Sequence, residues 1–138
     1  MMIKFGKKMI IIHYLGNEFI KSDSLAILTA KSLVEKYKDE IKFEKIDSFD
    51  DMIDFEGKKY FMDVAQGIDK VRLITDITEF EGIKSATAHD IDFSFFLQLS
   101  HKLGKLDELK IICLPQKTYK ELDIDVCIII DNIIGVNK

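Results

Sequence analysis

Arginine is nearly missing from this chain. Arg72 stands alone among 20 basic residues. Planar, bidentate recognition of phosphate or carboxylate favours arginine, so such recognition is not expected to be the main business of the protein. The net charge of -4 and a pI near 5.4 also argue against a nucleic-acid partner. Tryptophan is absent, and proline occurs once, at Pro115. No stretch approaches the roughly 20 apolar residues that a membrane span needs, so no membrane insertion is expected. Met1 to Lys8 is basic, but the apolar run behind it is short and lacks a small-residue cleavage site. No secretory leader is predicted, and a cytoplasmic location is expected. Cys113 and Cys127 lie in apolar surroundings without CxxC or zinc-ligand spacing, which predicts two buried free thiols. GxSxG, HExxH, P-loop and GxGxxG patterns are missing as well.

What is present is enough for one domain over 1–138 with a real core: 47% hydrophobic and 32% charged residues. Met9 to Tyr14 is an apolar segment of strand length. Residues 24–38 follow with Ala26, Thr29, Ala30, Leu33 and Tyr37 at helical spacing. Between them lies a loop, Leu15 to Asp23, longer than the ~2–6 residues usual between strand and helix. Ile41 to Ile46 alternates apolar and polar, as a strand at a sheet edge does. Residues 47–57 read as an acidic loop with room for one helical turn at Phe49–Ile53. Lys59 to Val64 and Val71 to Thr75 read as strands three and four, separated by a Gln66-Gly67 turn signal. Glu79 to His89 has no period and reads as loop. Asp90 to Leu103 reads as helix two, with Ile91, Phe95, Phe96, Leu99 and Leu103 on one face and Gly104 as its stop. Leu109 to Leu114 is strand five. The last helix opens near Asp123 and carries Val126, Ile129, Ile130, Ile133 and Ile134. Strand alternating with helix predicts an α/β domain.

Three polar residues sit at predicted element ends. Asp23 precedes helix one, Asp63 ends strand three, and His89 precedes helix two. Each has a bland reading: a helix cap for Asp23, a turn residue for Asp63, a surface or capping histidine for His89. Together they have another. In a parallel α/β unit the strand ends face one rim, where ligands bind. Two carboxylates and an imidazole would form a mixed oxygen and nitrogen set suited to zinc, nickel or a similar divalent ion. His13, within strand one, reads as packed or lining the rim. His101, on the polar side of helix two, reads as solvated.

Gly16-Asn17-Glu18-Phe19-Ile20-Lys21-Ser22-Asp23, Phe61-Met62-Asp63-Val64-Ala65-Gln66-Gly67 and Ser85-Ala86-Thr87-Ala88-His89-Asp90 occur in that order. In this the chain resembles the nickel–iron hydrogenase maturation proteases, endopeptidases that trim the C-terminus of the hydrogenase large subunit. The likeness covers nearly the whole chain, and leans toward the proteases of energy-converting or hydrogenase-3-type enzymes rather than the longer uptake type. Ser22 stands where the family has a first acid, and Ser24 and Ala26 stand where glycines are common.

The resemblance implies a three-layer α/β/α sandwich around a mixed, mostly parallel five-stranded sheet. One antiparallel edge strand would lie beside the last strand. Local reading alone would instead join strands three and four as a hairpin across Gln66-Gly67; the family arrangement is the one adopted. The resemblance further implies that Asp23, Asp63 and His89 hold the nickel carried by the large-subunit precursor, with zinc or cadmium able to substitute in the free protein. Asp23 and Asp63 would be the catalytic carboxylates, and Gly16 and Asn17 would shape the substrate loop. The second reading is a non-proteolytic factor that binds metal or precursor on the same fold.

Overall fold

The computed structural model describes residues 9–16, 19, 24–47, 57–81 and 90–137. Its elements in chain order are β1 (Ile10–Tyr14), α1 (Leu25–Leu33), β2 (Ile41–Lys45), β3 (Gly57–Val64), β4 (Arg72–Ile74), α2 (Ile77–Glu81), α3 (Asp90–Lys102), β5 (Leu106–Leu114) and α4 (Leu122–Val136). The strands form one sheet in the order β2-β1-β3-β5-β4. β1, β2, β3 and β5 run parallel, and β4 alone is antiparallel, at the edge beside β5. The expected mixed five-stranded sheet is therefore present, and β2 lies at an edge as its alternation predicts.

Strand alternation sends successive side chains to opposite faces. Tyr60, Met62 and Val64 of β3, with Ile112 and Leu114 of β5, pack in one apolar cluster with Ala26, Ala30 and Leu33 of α1 and Val126, Ile130 and Ile133 of α4. Phe61 and Ala65, with Leu109, Ile111 and Cys113, pack in a second cluster with Phe93, Phe96 and Leu97 of α3. Helices thus cover both faces, giving the three layers. Tyr37 lies beyond the end of α1 but remains buried, and its hydroxyl donates to Asp131 Oδ1 on α4 at 2.8 Å.

Three sequence expectations need correction. The segment from Glu79 onward is not all loop, because α2 spans Ile77–Glu81. Its start carries a local signal: Asp76 Oδ1 accepts from the Thr78 amide at 2.7 Å, and Glu79 follows Asp76 by three residues, as in a capping box. The buried face of α3 is also different from the one expected. Phe93, Phe96, Leu97 and Ser100 are buried, while Phe95 and Leu103 are 65% and 53% exposed. Two sets of apolar residues at helical spacing compete there, and packing on Phe61 selects the one containing Phe93. Lastly, Cys127 is half-buried rather than core, with its Sγ 3.4 Å from Lys36 Nζ. The helical turn expected at Phe49–Ile53 lies outside the described residues.

Candidate functional site

β1 and β3 are adjacent parallel strands at the middle of the sheet, so their carboxyl ends meet at one rim. The Leu15 amide donates to the Met62 carbonyl at 3.0 Å, fixing the start of the first loop beside the end of β3. Gly16 follows with φ +145°, a backbone angle that glycine adopts and L side chains rarely do. The sequence therefore supplies glycine at the position whose backbone angle requires it.

Asp63 is the penultimate residue of β3. It is 3% exposed and points to the α3 side of the sheet, the face shared by Phe61 and Ala65. Its Oδ1 accepts from the Val64 amide at 2.9 Å. Asp63 is thus a buried carboxylate at the carboxyl end of a central strand.

Asp63 has chemical neighbours on the same face. Cys113 of β5 is its register partner, and Arg72 of β4 is in turn the register partner of Cys113. Burial first, and the Asp63 charge second, push the Cys113 thiol up to about 12 despite the opposing charge of Arg72. Cys113 is thus a neutral thiol near neutral pH, unsuited to be a nucleophile or a thiolate ligand. His13 is buried two residues deeper, opposite Phe61, with ring centroids 5.8 Å apart. Burial holds its pKa below the ordinary imidazole value, opposed by Glu44 and assisted by Lys59. His13 is therefore packed, as its place in the strand suggested. Lys59 is fully buried, and its Nζ donates to the Lys105 carbonyl at 2.9 Å, tying β3 to the turn after α3.

Of the residues singled out from sequence, Gly16 and Asp63 are placed at this rim. Asp23, His89 and Asn17 lie outside the described residues. The N-cap position of α1 falls on Ser24, the residue after Asp23, and makes no side-chain capping bond. Among the described residues no group of three His, Cys, Asp or Glu side chains could hold a metal ion. His101 is exposed, as expected. Sequence reading did not associate Cys113 or Arg72 with Asp63, because their proximity depends on the register of β5 and β4.

A separate cleft of about 670 Å³ lies toward the opposite end of the sheet. Leu109, in its wall, is the register partner of Lys59, four residues before Asp63 on β3. At ~3.3 Å per residue that is roughly 13 Å along the strands. The cleft is therefore separate from the rim that carries Asp63. No helix among the described residues is long and apolar enough to cross a membrane.

The fold is similar to that of solved structures. One is the hydrogenase maturating endopeptidase HybD from E. coli, at 11% identity, covering 81% of this chain and 77% of that one, with a TM-score of 0.55. A second is an uncharacterized protein from Wolinella succinogenes, at 12% identity over 95% of this chain and 100% of that one, TM-score 0.59. A third is a hydrogenase 2 maturation peptidase from a Thaumarchaeota archaeon, at 15% identity over 94% and 97%, TM-score 0.52. At these identities the likeness is one of fold. No protein-family model and no curated protein sequence matches the chain.

Proposed function

We propose that the chain is an endopeptidase that removes a C-terminal peptide from the large-subunit precursor of a nickel–iron hydrogenase, in the cytoplasm. The observation that carries this reading is the place of Asp63. It is a buried carboxylate at the carboxyl end of the central strand, where the resemblance puts a metal ligand. Likeness of fold to two structures named as hydrogenase maturation peptidases supports it.

In this reading nickel arrives with the substrate. Asp23, Asp63 and His89 supply two oxygens and one nitrogen to it, a set that suits a borderline divalent ion. Zinc or cadmium takes its place in titrations of the free protein. Gly16 and Asn17 shape the loop against which the precursor lies. Water is the nucleophile in this reading; the Cys113 thiol, held neutral, is unsuited to the role. Asp63 accepts a proton from the attacking water as the C–O bond forms, and returns it to the leaving amine as the C–N bond breaks. Asp23 is the second catalytic carboxylate.

The test is incubation with nickel-loaded precursor, followed by the mass of the large subunit. Loss of a short C-terminal peptide is expected; an unchanged mass with retained binding gives the non-proteolytic reading. Asp23→Asn is expected to abolish cleavage while changing stability by less than about 1 kcal/mol, because Ser24 holds the N-cap position. Cleavage by that variant at the wild-type rate would return Asp23 to a structural role.

A further inference from the structure

β4 is much shorter than the strand it covers. It pairs only with Ile111, Ile112 and Cys113, whereas β3 pairs along β5 from Leu106 to Leu114. From Leu106 to Lys110 the outer edge of β5 has no strand partner among the described residues. The direction of its backbone groups follows from one bond. The Ala65 amide donates to the Leu114 carbonyl at 2.8 Å, so Leu114 faces β3. Backbone groups alternate along a strand. Ile112 and Lys110 therefore also face β3, while Cys113, Ile111 and Leu109 face outward. The first two meet β4; Leu109 presents its N–H and C=O to the open side.

That open side is the cleft of about 670 Å³. Gln98, His101 and Lys102 of α3 wall it on one side, and Thr75 to Thr78 close it where β4 ends. Its acids are already engaged. Glu108 lies 3.4 Å from Lys110 Nζ and 3.7 Å from Lys58 Nζ and accepts from the Tyr60 hydroxyl at 3.1 Å. Asp76 accepts from the Thr78 amide. Lys102 and His101 are exposed and make no ion pair with a described residue. The charge of Lys102 favours the carboxyl end of α3 and is also available to an incoming carboxylate, to which the His101 ring can donate an N–H.

We propose that this edge takes up an extended, acidic peptide segment of a partner protein as an added strand. Leu109 would exchange backbone hydrogen bonds with it, and Lys102 with His101 would meet its acidic side chains. Strand addition to an open edge is a recurring mode of peptide recognition. The cleft favours a single strand over the edge of a second copy of this chain, because residues of α3 and of 75–78 line it beside β5. The site is independent of the processing reading.

The test uses the full chain and three soluble eight-residue peptides. One alternates glutamate with valine or threonine, one has lysine for glutamate, and one is the glutamate peptide N-methylated at alternate backbone nitrogens. Nuclear magnetic resonance titration reads the site. For the glutamate peptide we expect saturable amide shifts confined to 106–110 and 75–78, with slowed exchange of the Leu109 amide. The lysine peptide should bind about fivefold more weakly or worse, the scale of surface ion pairs. N-methylation should abolish binding, and the double variant H101E/K102E should reverse the charge preference. Equal binding of the N-methylated peptide, shifts elsewhere, or no saturable change would overturn the proposal. So would a concentration-dependent dimer in sedimentation that protects 106–110, which would make the occupant a second copy.

Discussion

Asp63 and Cys113 face each other as register partners on β3 and β5, and the carboxylate helps to keep the thiol protonated. On the α3 side of the rim, a buried acid thus sits beside a sulfhydryl that it helps to silence.

Iodoacetamide labelling near neutral pH should therefore modify Cys127 and leave Cys113 untouched in the folded protein, since the Cys113 thiol is pushed up to about 12 and buried. In Asp63→Asn the second cause of the shift disappears but burial, the first, remains. Cys113 should still resist. Peptide mass mapping checks both statements; labelling of Cys113 ahead of Cys127 would contradict them.

Substitutions at Asp63 should separate chemistry from stability. Asparagine keeps an oxygen for the Val64 amide at the position now 2.9 Å away, whereas alanine leaves a buried N–H without that acceptor. Asp63→Asn should lose cleavage with little change in unfolding free energy. Asp63→Ala should lose cleavage and about 1–3 kcal/mol as well. Urea unfolding alongside the precursor assay gives the comparison.

The face of α3 can be checked by truncation. Phe93 is fully buried against Phe61, with ring centroids 4.9 Å apart, while Phe95 is 65% exposed. Phe93→Ala should cost about 3–5 kcal/mol, and Phe95→Ala no more than about 0.5 kcal/mol. Similar losses from both would mean that the helix is rotated.

His13 should impose a pH dependence on stability. Its folded-state pKa is lowered from 6.5, chiefly by burial. As pH falls below about 6.5 the unfolded chain takes up the proton first, so stability declines until the folded imidazole also protonates. Above that window the contribution is constant. Urea midpoints for wild type and His13→Gln between pH 5.5 and 7.5 should show a shallower slope in the variant. Parallel slopes would show that His13 does not titrate differently on folding.

Much of the architecture was legible because apolar period and element ends are local. Asp63 could be placed at a strand end from Tyr60, Met62 and Val64 alone, and Gly16 at a turn from its position behind Tyr14. What was not legible depends on contacts far apart in sequence. Gln66-Gly67, with Gly67 at φ +80°, suits a hairpin locally, yet β4 crosses to the far side of β5. Resemblance, not local pattern, anticipated that arrangement. The Asp63, Cys113 and Arg72 row needed two registers that no short window contains. The α3 face went astray because Phe95 and Leu103 fit a helical stripe as well as Phe93 and Leu97 do. Five residues of α2 are too few to show a period, although the Asp76 to Glu79 spacing marks its start.

The central position of β3 has a kinetic consequence. It joins β1 on one side and β5 on the other, both in parallel, and β5 is reached only after β4, α2 and α3. Pairing across such a separation closes a long loop before contacts reward it. During synthesis, Lys59 to Val64 must therefore wait with one backbone edge uncovered until Leu106 to Leu114 has emerged. The apolar Tyr60-Phe61-Met62 run within that edge is the segment most open to mispairing in the interval. Asp63, the residue proposed to carry chemistry, is also a charge that interrupts the run while it waits.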